Sequence, residues 1–188
     1  MRIIAGTLKG RRLETPSWAG LRPTSDRLRE TLFNVLAPVI PGARVLDAYA
    51  GTGAIGIEAI SRGAAHVTFV DCDARATALV TRNLQRCGIR DGYAIIRDDA
   101  ARAVPATASQ DFDVIVLDPP YDAADAAPVV AALAPALAPG GVLVLEHARR
   151  HVAPPAAGAL TLTRALRAGD SALAFYRHVR IEAAHHEP

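Results

Sequence analysis

The chain is poor in cysteine. Cys72 and Cys87 are the whole supply in 188 residues, and no Cys-x-x-Cys occurs. Two thiols cannot frame a disulfide scaffold. No apolar run reaches the roughly 20 residues of a membrane span. The opening Met1-Arg2-Ile3-Ile4-Ala5-Gly6 lacks the apolar core of a secretion signal. The expectation is a cytoplasmic chain with reduced thiols and no membrane partner. Lysine is almost missing: Lys9 stands alone, and every other strong base is arginine. His147 and His151 are four apart but have no third ligand at a suitable spacing. They read as ordinary surface residues, and no metal is expected. Neither G-x-S-x-G nor a Ser-His-Asp order occurs, so serine-hydrolase chemistry is excluded.

What is present suits one domain with a small appendage. The 51% apolar content is enough for a core. Net charge is only +2, but residues 1–30 carry +4 and the remainder −2. A basic leading segment on a near-neutral body points to a polyanion partner.

Residues 2–15 read as a hairpin around the glycine-bounded turn Gly6 to Gly10. Thr24 or Ser25 can cap a helix running to about Leu36, with Leu28, Leu32, Val35 and Leu36 on one face. After the linker Pro38 to Gly42, strands and helices alternate. Strands are expected at 44–48, 66–71, 93–97, 112–117 and 142–146. Helices are expected at 54–62, 74–87, near 100–104 and at 125–137. Two more strands, 159–166 and 172–179, flank a turn at Arg167 to Asp170, and the last residues, 183–188, read as a frayed tail. The pattern is a doubly wound parallel α/β sheet, in which ligands sit outside the carboxyl ends of the strands.

The chain is arranged around Arg44 to Gly56. A short strand ends in Asp47, a turn Gly51-Thr52-Gly53 follows, and a helix opens at Ala54. Glycine lets a ligand approach the backbone closely. Gly51, Gly53 and Gly56 match the dinucleotide fingerprint G-x-G-x-x-G. Asp47 argues against a dinucleotide, because a carboxylate there would repel pyrophosphate. It suits a cation such as the amino group and sulfonium of S-adenosylmethionine. Asp71 ends the second strand 20 positions beyond Gly51, where a carboxylate can accept both hydroxyls of a ribose. Asp73 is explained by capping the next helix. Asp98 and Asp99 both follow the third strand, and either could accept from an adenine amine.

Asp118-Pro119-Pro120-Tyr121 follows the fourth strand. Paired prolines make a stiff turn that lacks two N–H groups and leaves a carbonyl free to accept. That carbonyl and the Asp118 carboxylate can hold a planar –NH2 while its nitrogen faces an electrophile. Tyr121 offers a face for base stacking, and a paired base must be splayed out to reach it.

Together these motifs resemble a class I S-adenosylmethionine-dependent methyltransferase acting on an exocyclic amine. Arg2-Ile-Ile-Ala-Gly6, Lys9-Gly-Arg-Arg-Leu13, Leu21-Arg-Pro-Thr24, Asp26-Arg-Leu-Arg-Glu30, Leu32-Phe-Asn34, Asp47 to Gly56, Glu58-Ala and Ser61-Arg-Gly-Ala64 resemble the RsmD family. Members methylate N2 of a guanine in bacterial small-subunit ribosomal RNA. The resemblance implies that Asp47, Gly51 and Gly53 hold the methionine side of the cofactor, Asp71 its ribose and Asp99 its adenine. Tyr49 and Thr52 lie in the same turn and join these candidates; Tyr49 stands where the family commonly has Phe. Asp118, Pro119 and Tyr121 fall at the target base. Lys9, Arg11, Arg12, Arg22 and Arg27 would grip RNA phosphates, although Thr24 and Arg27 could instead reach the cofactor's carboxylate. The implied organisation is an RNA-binding extension over 1–40 and a catalytic domain over 41–182, monomeric, acting on the small ribosomal subunit or its precursor. An adenine-N6 methyltransferase, a nicotinamide-dependent oxidoreductase and a non-catalytic RNA-binding module are the rivals.

Overall fold

Runs rich in Val, Ile and Leu become the strands of one eight-stranded sheet. The computed structural model of the chain describes residues 1–16, 18, 25–106, 112–119 and 126–179. Strands β1 (Arg44–Ala48), β2 (His66–Val70), β3 (Tyr93–Ile96), β4 (Phe112–Leu117) and β5 (Leu137–Ala148) pair parallel. Strands β6 (Ala156–Ala157), β7 (Leu160–Ala168) and β8 (Ser171–His178) add on antiparallel. The spatial order is β3-β2-β1-β4-β5-β8-β7-β6. The chain therefore moves outward from β1 to β3, then returns to lay β4 on the other side of β1. That reversal opens a crevice at the carboxyl ends of β1 and β4.

Period-two alternation sorts the strand residues between two layers. Val45, Val67, Phe69, Val114 and Val116 share one cluster with the apolar side chains of helices α1 (Asp26–Leu36), α2 (Ala54–Ser61) and α3 (Ala74–Cys87). Leu46, Ala48, Ile115 and Leu117 share the other with α4 (Ala100–Ala106) and α5 (Ala127–Leu133). Helix α2 lies directly on β2: a Cβ on Gly56 would stand 2.2 Å from the Phe69 ring.

Ser25 caps α1, accepting from the Leu28 N–H at 3.2 Å; Thr24 lies outside the described residues. The expected hairpin over 2–15 is held by an antiparallel bridge between Arg2 and Arg12 and by cross-strand bonds from the Ile3 N–H to the Arg11 carbonyl at 2.9 Å, the Gly10 N–H to the Ile3 carbonyl at 2.9 Å and the Leu13 N–H to the Met1 carbonyl at 3.2 Å. Other N–H groups of the segment bond to α2 instead. Ile4 and Ala5 donate to the Glu58 carboxylate at 2.7 and 2.9 Å, and Leu8 donates to Ser61 Oγ at 2.9 Å. Ile3 and Leu13 join the α1–α3 cluster, so the leading segment shares the core of the sheet.

The helix expected over 125–137, with breaks early at Pro128 and late at Pro135, is α5 over Ala127–Leu133. Pro128 lies in the opening turn of α5, where its missing N–H costs nothing. Pro135 falls in a separate 3-10 turn, Ala134–Ala136. β5 begins at Leu137, earlier than expected, and the two-residue β6 was not foreseen. Among the described residues no helix is long and apolar enough to cross a membrane.

Candidate active site

The crevice is built on two adjacent strand ends. Ala48 of β1 pairs with Leu117 of β4, and the Asp118 N–H reaches the Ala48 carbonyl at 3.4 Å. Asp47 is 1% exposed and accepts the Gly56 N–H at 2.8 Å. Burial pushes its carboxyl up to about 8; the Gly56 bond opposes this, while Asp118 and Asp71 push it further. The field at the strand ends is thus acidic, and no basic side chain pairs with Asp47 or Asp71 among the described residues. Such a place favours a cation.

The turn after β1 carries strain where the ligand space begins. Tyr49 has φ +68°, a left-handed conformation that costs a side-chain-bearing residue on the order of 1 kcal/mol. Its ring is half-buried, and burial first, then the nearby Asp99 and Cys72, push its hydroxyl pKa up. Gly51 and Gly53 follow with φ +54° and +76°, and Gly53 is the N-cap of α2. Thr52 faces inward instead. It is buried, its hydroxyl meets Met1 Sδ at 3.6 Å, and its carbonyl accepts from Asn83 at 2.9 Å.

Asp71 fixes the turn to β2, accepting the Gly51 N–H at 2.9 Å and the Asp73 N–H at 2.9 Å. Asp73 caps α3 through the Arg75 N–H, and its hydrogen bonds from Arg75 hold its carboxyl below the usual range. The Arg75 guanidinium also lies 5.2 Å from the Trp18 ring centroid. The neighbours after β3 divide their work. Asp98 takes Arg102 at 3.1 Å and the Asp99 N–H at 2.7 Å, whereas Asp99 caps Ala101 and faces Tyr49. Of the pair, Asp99 is the one whose charge acts on Tyr49.

Pro119 is buried beside the half-buried Asp118. Tyr121, Arg22 and Thr24 lie outside the described residues. Lys9, Arg11, Arg12 and Arg27 are exposed, and Arg11 reaches the Arg86 carbonyl at 3.4 Å. A hollow of about 300 Å³ lined by Pro41, Ala43, Asp113 and Gly141 lies at the opposite, amino ends of β1 and β4. Concavity and chemistry therefore disagree, and the converging carboxyl groups decide the site.

The family model described as "Conserved hypothetical protein 95" matches residues 1–177. Ribosomal RNA small subunit methyltransferase D of Escherichia coli is 42% identical over 121 residues, spanning 64% of this chain and 60% of that enzyme. The chain belongs to the RsmD family. YlbH of Bacillus subtilis is 37% identical over 181 residues, 94% of this chain and 98% of that protein. The solved structure of yhhF from Escherichia coli is 33% identical and superposes with a TM-score of 0.80 over 95% of this chain and 97% of that one. The sheet is that of the class I Rossmann-like methyltransferases.

In this RsmD-family chain three structural residues escaped the sequence reading. Arg29 is fully buried in α1, bonded to Asp26 at 2.6 Å and to the Arg2 carbonyl at 2.8 Å, with Glu58 3.7 Å away. Its Nε has no hydrogen-bond partner among the described residues. Glu58 is the one charged residue of the apolar helix α2, and that isolation was its signal. Asn83 clasps Glu14 through both backbone groups, at 2.7 and 3.1 Å, and holds Thr52 as well. His147 also departs from the surface role expected of it: it is half-buried, and its Nε2 is enclosed without a partner.

Proposed function

We propose that this chain transfers a methyl group from S-adenosylmethionine to the exocyclic N2 of a guanine in small-subunit ribosomal RNA. The observation that carries the reading is the Asp118-Pro119 strand end beside the buried Asp47 at the switch point. The name and 42% identity of the Escherichia coli relative support ribosomal RNA as substrate. On this reading Asp47 receives the ammonium side of the cofactor, with Gly51 and Gly53 giving close backbone approach. Asp71 holds the ribose, and Asp99 with Tyr49 lies toward the adenine.

The guanine amine is a poor nucleophile because its lone pair is delocalised into the ring. The nitrogen would form its bond to the methyl carbon as the C–S bond breaks, leaving a neutral thioether, and the methylated amine would shed its surplus proton to water. Acceptors at Asp118 and the Pro119 carbonyl would favour a pyramidal nitrogen as that bond forms. They act mainly in the transition state. In-line positioning carries much of the rest, and Tyr121 stacks on the splayed base. Residues 1–40 act as the RNA-gripping extension through Lys9, Arg11, Arg12, Arg22 and Arg27. Residues 41–182 form the catalytic unit, working as a monomer.

The test is methyl transfer from labelled S-adenosylmethionine to small ribosomal subunits lacking their own guanine-N2 methylation, with the product nucleoside identified by mass. N2-methylguanosine is expected. N6-methyladenosine would move the target to adenine, and an absence of cofactor binding would overturn the reading. Asp118→Ala should lower turnover by about 10²–10³-fold while cofactor affinity holds.

A further inference from the structure

The chain pairs Arg29, Arg62, Arg75, Arg82 and Arg102 with carboxylates. Arg149, Arg150 and Arg167 are all exposed, and none of them has a carboxylate partner among the described residues. The sheet gathers them at one place. Ala148, at the end of β5, pairs with Ser171 of β8, and Ala168, at the end of β7, pairs with the same Ser171. Arg149 then follows β5, with its N–H on the Asp170 carbonyl at 2.8 Å. Arg167 lies one residue back on β7, opposite Ala172, which also faces His147. β5 and β7 flank β8, so they lie two strand spacings apart, about 10 Å, and Arg149, Arg150 and Arg167 stand close enough for one stretch of polyanion to meet all three. His151 is exposed alongside, and Asp170 is the acid in the turn.

This area is on the rim of the crevice. β5 runs parallel to β4, and Leu145 pairs with Leu117, so Asp118 falls level with Glu146. Arg149 is three residues further along, about 10 Å of strand rise. Clustered unpaired cations repel one another and burden the fold, which makes sense when a polyanion neutralises them. A base splayed into the crevice leaves its flanking phosphates at the mouth, where this rim stands.

We infer that Arg149, Arg150 and Arg167 form a second RNA-phosphate grip, on the β5–β8–β7 rim of the crevice and separate from the N-terminal basic segment. The inference rests on the ribosomal RNA reading above. The grip holds the strand that flanks the target base, while Lys9, Arg11 and Arg12 hold RNA elsewhere.

The experiment compares the parent chain with two triple variants, Arg149→Gln/Arg150→Gln/Arg167→Gln and Lys9→Gln/Arg11→Gln/Arg12→Gln. Binding to a small-subunit ribosomal RNA transcript and to assembled subunits is followed against salt. For the rim variant the slope of log affinity against log salt should fall by about 2, at roughly 0.7 per lost single-strand phosphate contact. Affinity at low salt should drop about tenfold or more. The loss should appear in the RNA KM, with the parent's cofactor affinity. Parent-like RNA affinity and slope in the rim variant, with weakened binding in the N-terminal variant, would overturn the rim grip alone. Unchanged binding to naked RNA with weaker binding to assembled subunits would also overturn it, moving the patch to a ribosomal protein. A parent chain that binds neither RNA nor subunits would remove the substrate reading and the grip together.

Discussion

With its carboxyl pushed up to about 8, Asp47 keeps at neutral pH a proton that the unfolded chain, near 3.8, would have released. The folded state binds more protons across that interval, so Asp47 lowers stability as pH rises from 3.8 to about 8. A bound ammonium or sulfonium reverses the preference and favours the carboxylate. S-Adenosylmethionine affinity should therefore fall on acidification below about 8, approaching tenfold per pH unit. Calorimetry in two buffers of different ionisation enthalpy should register proton release. Affinity that stays flat from pH 8 to 6 would contradict this. Asp47→Asn should weaken binding at pH 8 and flatten the profile. The acids at the strand ends were legible because Asp47, Asp71 and Asp118 each terminate an apolar run. The difference between Asp98 and Asp99 was not, because it depends on which side chain Arg102 captures, and that is Asp98.

At the scale of elements, the leading segment is joined to α2 by charge and close contact. Glu58 accepts two backbone N–H groups from residues 4 and 5 and pairs with Arg62 at 2.8 Å, beside the buried Arg29. Glu58→Ala would leave the Arg29 cation without its buried counter-charge and should cost about 3–5 kcal/mol, read by urea unfolding. Arg29→Met with Glu58→Gln should lose much less, because the unpaired charge is removed as well. Gly6→Ala should release the same segment: it demands φ +80° and would place Cβ 1.8 Å from the Ser61 carbonyl oxygen. RNA affinity should fall with little change in cofactor affinity, and equal loss of both would argue against a docking role. The helices and strands themselves were legible, since apolar period and turn residues are local signals. Arg29 was hidden because the pattern sends a charge to the surface, and its buried counter-charge, Glu58, lies in another helix. The hairpin was legible, but sequence cannot show that Glu58 and Ser61 take the N–H groups of residues 4, 5 and 8.

For the whole molecule, the deciding fact is the strand order. Asp47 with its glycine turn, Asp71 and the Asp118-Pro119 pair are spread from residue 47 to residue 119, yet they end on the same side of β2, β1 and β4. The alternation of strands and helices was enough to predict this convergence, because parallel strands joined by helices must present like ends together. The strands of the β5–β8–β7 flank and the turn after Arg167 were legible, but its arginine group was not, since positions 149 to 167 are scattered until the register brings these strand ends together.

Trp18 is the only tryptophan in the chain, and it is half-buried against Arg75 at the head of α3, just beyond Asp71 and Asp73. Indole emission from this protein therefore originates from one point on the cofactor rim, and no other indole dilutes it. A change in its intensity or wavelength on adding S-adenosylmethionine would follow events at that rim in real time and without a label. Arg75→Ala would reveal how much of the signal depends on the neighbouring guanidinium.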